Sequence, residues 1–176
     1  MRVYIPATLA MLQALTADGE IAPLGGTAFA LTPALRESYT AGDDEELAEA
    51  AMREAARASL RLLDVDEPPA DGEDTDAKPL PPRRVVVAAD VADDKVKLRP
   101  DLDAAVVKLA GPVPLADIVA VHVDGADAES AVRAAVDAVD AADLGDLDAE
   151  LAIGDVEDFD LGWYATQELP FLLELL

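Results

Sequence analysis

A histidine and a carboxylate two residues apart on one strand are the first arrangement in this chain that could do chemistry. His122 is the only histidine. It sits in the run Ile118–Asp124, whose alternating apolar residues predict a strand. Val119, Val121 and Val123 then share one face, and His122 and Asp124 the other. A carboxylate at that position would raise the proton affinity of the imidazole and orient it as a general base. Trp163 to Glu168 is the second concentration of large and polar side chains. Read as a strand, it puts Trp163 and Gln167 on one face and Tyr164, Thr166 and Glu168 on the other. His122, Asp124, Tyr164 and Glu168 are thus the weak candidates for a small carboxylate- and histidine-based enzyme with a pocket near His122 and Tyr164. The competing reading is structural: a strand histidine beside a helix-capping aspartate, and aromatic residues that anchor packing.

Three arginines, Arg53, Arg57 and Arg61, recur every four residues along a predicted helix. In so acidic a chain they are weak candidates for binding a partner or an anion. The plainer alternative is a solvated, salt-bridged face, with Glu49 to Arg53 in the favourable acid-first order. Pro79, Pro82 and Arg84 fit the pattern P-x-x-P-x-R, which also reads as a stiff lead-in to the next strand. The acids around Asp155 to Asp160 and Asp71 to Asp76 miss the ligand positions of a calcium-binding EF-hand loop, so no metal site is expected. Gly25-Gly26 stands outside any phosphate-binding glycine motif. Cysteine is absent, which removes disulfides, thiolate nucleophiles and cysteine-ligated metals. No cofactor is expected.

The formal net charge is −24, from 37 acids and 13 bases. Solubility is the simplest cause. Adaptation to high salt and mimicry of nucleic acid, with carboxylates occupying a basic cleft, are the others. Direct binding to DNA or RNA is excluded, because no basic patch is present to neutralise phosphates. The first residues are too short and mixed for a signal peptide, and no apolar run reaches membrane-spanning length. The expected location is cytoplasmic. The chain contains 36 alanines but seven aromatic residues, so the core is expected to be built from small side chains, with the larger ones contributing most.

These residues must be positioned by a mixture of helices and strands. Arg2 to Pro6 reads as a first strand. Thr8 caps a helix over Leu9–Ala17 that ends at Gly19. Thr27–Leu31 is a second strand, and Thr32-Pro33 opens a short turn. Asp43 and Glu46 start a long amphipathic helix reaching about Leu63. Asp64 to Pro82, with seven acids and five prolines, reads as a flexible acidic, proline-rich insertion that cannot offset its ordering entropy. Arg83–Val91, Ala104–Ala110 and Ile118–Asp124 are further strands, followed by a helix over Asp127–Ala142. Asp143–Asp160 reads as another acidic, loop-rich stretch. Gly162–Leu169 closes as a strand, with a last helical turn from Pro170. No sequence repeat is visible. This pattern predicts one α+β domain over residues 1–176: a mostly antiparallel sheet of about five or six strands, with helices on one face, interrupted by the acidic loop.

MRVYIPATLAML, TPALRESY, ARASLRLL, LAGPVPLADIVAVHVD and WYATQELP together resemble a family of small uncharacterised actinobacterial proteins, a domain of unknown function. The likeness spans nearly all of the chain outside Asp64–Pro82. It implies a bacterial cytosolic protein forming one compact unit, and it brings no activity with it. The functional expectation is a non-catalytic interaction or regulatory protein that binds another protein. The small enzyme is the alternative, and the acidic nucleic-acid mimic the second alternative.

Overall fold

The computed structural model describes residues 1–65 and 79–176. Two continuous apolar runs, Val3–Ala7 and Val85–Ala89, make up most of strands β1 (Arg2–Ala7) and, later in the chain, β4 (Val85–Asp90). Both are buried on both sides, which is the meaning of an unbroken apolar run as opposed to an alternating one. They pair antiparallel at the centre of the sheet, with Ile5 opposite Val87.

Between them lie α1 (Leu9–Asp18), β2 (Glu20–Ile21), β3 (Thr27–Phe29), α2 (Pro33–Glu37) and α3 (Asp44–Val65). After β4 come β5 (Val96–Leu98), β6 (Val106–Leu109), β7 (Val113–Pro114) and β8 (Ile118–Val123). The chain then forms α4 (Glu129–Asp143), α5 (Leu147–Glu157), β9 (Gly162–Tyr164) and α6 (Leu169–Glu174). The main sheet is antiparallel, with seven strands in the order β5-β6-β3-β1-β4-β8-β9, and β2 and β7 form a separate pair. The α+β class and the antiparallel sheet agree with the sequence reading. The sheet is wider than the expected five or six strands because β5, at one edge, is a short strand with no apolar run of its own.

Helices cover both faces of the sheet, not one. Val3, Ile5, Val85 and Val87 point toward Leu9, Leu12 and Leu15 of α1 and Leu169 and Leu172 of α6. The opposite face, with Phe29, Val86 and Val106, meets Ala51, Ala55 and Ala56 of α3. α4 and α5 pack together and onto Leu60 of α3. Small alanines let α3 approach the sheet closely, so its larger side chains are left to hold the outer helices.

The centre of the molecule repeats a pattern that the sequence conceals. β3 flanks β1 as β8 flanks β4, and each outer strand is entered from a two-residue strand and a 3-10 turn. Pairing of β2 with β7 joins the two units.

The caps act as expected. Thr8 accepts from Met11 N, Thr32 from Leu35 N, and Gly19 ends α1 in the left-handed region at φ 77°. α3 begins with Asp43 accepting from Glu46 N and continues to Val65, two residues beyond the expected end. Of the acidic insertion expected at Asp64–Pro82, residues 66–78 lie outside the described residues; Asp64 and Val65 complete α3, and Pro79 to Pro82 lead into β4. Among the described residues no helix is long and apolar enough to cross a membrane.

Two expectations fail in the last third of the chain. Asp143–Asp160 is not a loop: Asp146 caps α5 by accepting from Ala149 N. Gly145, at φ 92°, makes the tight turn that separates it from α4. The expected strand Gly162–Leu169 stops at Tyr164, because Thr166–Glu168 turns into a 3-10 helix leading to α6.

Candidate functional site

The four candidate catalytic residues are not gathered in one place. His122 pairs with Val86 on one side and Trp163 on the other, so its ring lies on the face of the sheet that α3 covers. Tyr164 pairs with Val121 and packs into the opposite core. Glu168 is exposed and accepts a hydrogen bond from Ala165 N at 3.1 Å, closing the turn that replaces the expected strand. A pocket shared by His122 and Tyr164 would have to cross the sheet.

The alternation behind the original pairing is also interrupted. Ala88 faces Ala120 and Ala89 faces Ile118, which leaves Val119 as a bulged, exposed residue. Ile118, Val121 and Val123 therefore share the core face, and Val119 does not.

Asp124 serves Arg84, not His122. It is fully buried, and its carboxylate accepts from Arg84 N, Nε and Nη2, each at 2.8 Å. Arg84 Nη2 also donates to the Phe159 carbonyl at 2.8 Å, tying the exit of α5 to the sheet. With its expected carboxylate engaged elsewhere, the His122 imidazole is shifted below its ordinary value by burial, the reverse of the expected shift.

The arginine stripe of α3 is a clamp between helices. Arg57 bonds Asp143 at 3.0 Å and Glu150 at 3.2 Å, and Arg61 bonds Asp143 through two nitrogens. The Arg61 hydrogen bond, opposed by partial burial and reinforced by Arg57, lowers the Asp143 carboxyl to about 2. Arg53 pairs with Glu49 on the surface, 3.2 Å away. Arg57 and Arg61 thus fasten α4 and α5 to α3, and their charge is spent doing so.

What this clamp holds outward is a surface that the sequence reading missed. Leu144, Leu147 and Leu151 are 89%, 81% and 69% exposed. Leu147 and Leu151 lie one turn apart on α5, while Ala149, Ile153 and Val156 fill its inner side. Apolar residues lie on both its outer and its inner side, with Asp148, Glu150, Asp155 and Glu157 between them, so the one-sided contrast is weak and the helix resembles a loop in sequence. Gly145-Asp146 followed by leucines four apart was the available signal. Residues 140–158 carry eight acids and no lysine or arginine, and no basic residue follows Arg133.

Behind α5 lies a cleft of about 380 Å³. Met52, Ala56 and Leu60 of α3 form one wall, and Ile153 and Val156 of α5 the other. Arg84 lies at its base, and Glu157, Asp158 and Asp160 stand along its edge.

No curated protein and no solved structure matches this chain. A family model does, over residues 1–173, nearly the whole sequence and all but the last residue of α6. The chain belongs to the family of unknown function DUF6912.

Proposed function

We propose that this chain is a non-catalytic protein-binding module that presents the outer face of α5, and the turn before it, to a basic amphipathic helix of another protein. The observation that carries the reading is the exposure of Leu144, Leu147 and Leu151 inside a segment holding eight acids and no base. On a helix whose inner side already packs through Ala149, Ile153 and Val156, the outer leucines contribute nothing to the core. Exposed leucines one turn apart match the anchor spacing of helix-in-groove recognition. The surrounding carboxylates select a partner with lysines or arginines flanking its own apolar stripe, and they speed its encounter. The same charge opposes pairing of two copies of this chain.

The test is fluorescence anisotropy with an 18-residue probe peptide of leucine and lysine at helical spacing. Saturable binding is expected, weakened by added salt and at least tenfold by the double substitution Leu147→Gln, Leu151→Gln. Both side chains face solvent, so thermal stability should hardly change. Binding that ignores the leucines and follows charge alone would overturn the proposal.

A further inference from the structure

We infer that the cleft between α3 and α5 is a binding site for a small, neutral molecule that presents a carbonyl oxygen to Arg84. This site is separate from the outer leucines of α5, and it stands whether or not they bind a protein.

Arg84 carries the argument. It is only 4% exposed, yet it lines the cleft. Its Nε and Nη2 are committed to Asp124 and the Phe159 carbonyl, and its Nη1 has no hydrogen-bond partner among the described residues. Every buried polar side-chain atom among those residues does have a partner. Arg84 lines the cleft, so we assign Nη1, the guanidinium nitrogen without a protein acceptor among those residues, as the donor available to a ligand there. A guanidinium held on two sides by protein oxygens presents its remaining donors in a fixed direction, which suits recognition.

Charge fixes the class of ligand. Asp124 already cancels the Arg84 charge, Arg57 is engaged by Asp143 and Glu150, and Arg53 by Glu49. Glu157, Asp158 and Asp160 form no ion pair among the described residues, so the rim repels an anion. A cation attracted by the rim would meet a donor-only guanidinium nitrogen at the base. A neutral acceptor satisfies both ends. Met52, Ala56, Leu60, Ile153 and Val156 supply the apolar walls, and the volume falls at the lower end of that of small-molecule sites.

The probes are three small rings: ε-caprolactam, which carries a neutral carbonyl; azepane, the same ring without it and cationic at neutral pH; and cyclohexanecarboxylate, an anion. The full chain would carry labelled methionine and isoleucine methyl groups for NMR. Of its three methionines only Met52 lines the cleft, and of its isoleucines only Ile153, so Met1, Met11, Ile5, Ile21 and Ile118 are internal controls. The expected result is saturable movement of Met52 and Ile153 with ε-caprolactam and still controls. Azepane and cyclohexanecarboxylate should bind about tenfold more weakly or worse.

The double substitution Arg84→Met, Asp124→Leu removes the donor and its counter-charge together and should abolish the lactam response. If that variant does not fold, the three probes on the native chain decide alone. Azepane matching the lactam would assign selection to the acidic rim, and tighter binding of cyclohexanecarboxylate would make the site anionic. Either result, or unmoved Met52 and Ile153 signals, overturns the inference.

Discussion

Arg84 and Asp124 form a buried two-pronged ion pair that locks the entry of β4 to the exit of β8, with both carboxylate oxygens 2.8 Å from guanidinium nitrogens. The backbone repeats the connection, since Arg84 N donates to the same carboxylate and Asp124 N donates to Arg84 O at 3.1 Å. Replacing one partner leaves an uncompensated charge in the interior, which costs about 3–5 kcal/mol. Asp124→Leu is expected to lose that much in urea unfolding. The double substitution Arg84→Met, Asp124→Leu should recover most of it, because no charge remains buried. A single substitution costing under ~1 kcal/mol would mean that water solvates the charge left behind.

Ser59 makes a smaller connection at the junction of α3 with the two central strands. It is fully buried, its hydroxyl donates to Ala7 O at 2.7 Å, and it accepts from Val85 N at 3.1 Å. Ser59→Ala removes one donor and one acceptor and strands two backbone groups without water. The expected cost is about 1–3 kcal/mol. Hydrogen exchange should show the Val85 amide losing protection before its strand neighbours. Unchanged protection at Val85 would place its stability elsewhere.

The central elements were legible because local rules and tertiary packing agree there. Thr8, Thr32 and Asp43 cap as their types and positions dictate, and α3 follows its periodicity. Both-sided burial of β1 and β4 was also written in their unbroken apolar runs, although helices on one face were expected. The candidate site was much less legible. His122 and Asp124 do share a strand register, but no local rule shows that Arg84, 40 residues away in sequence, claims the carboxylate. The bulge at Val119 and the early end of β9 are set by pairing partners, which periodicity does not contain. α5 escaped because exposed leucines erase the amphipathic contrast by which a helix is recognised. The feature that hid the helix is the one from which a binding face is proposed.

Asp143 joins stability to acidity through α3 and α4. Its carboxyl is held at about 2, below its ordinary 3.8, by Arg61 and Arg57. A folded-state value below the unfolded one means that its contribution is complete above about pH 5 and is lost as pH falls toward 2. Linkage alone would give roughly 2 kcal/mol. With 32% of the side chain exposed, solvent screening reduces this to about 1 kcal/mol. Asp143→Asn should lower stability at pH 7 by that amount and flatten the dependence between pH 5 and 2. Equal slopes for native and substituted proteins would remove Asp143 from the acid response.

His122 and Trp163 face each other across β8 and β9, and the chain has one of each residue type. A pH titration of tryptophan emission therefore reads a single histidine. Directly opposite residues on paired strands bring their side chains within contact range, where a protonated imidazole quenches indole emission. Burial depresses the His122 value below its ordinary 6.5. The neutral ring contributes its full stability above 6.5, and the contribution falls as pH drops through the lower, folded value. Emission should thus be flat from pH 8 to about 6.5 and fall at lower pH, with a midpoint below 6.5. His122→Gln should abolish the transition and leave the pH 8 spectrum unchanged. A midpoint above 6.5 would mean that a carboxylate governs the ring, as the His122–Asp124 spacing first suggested. It would also mean that Arg84 does not hold Asp124 in solution as it does in the fold, so this one titration tests the assignment of Asp124 from the side of the histidine.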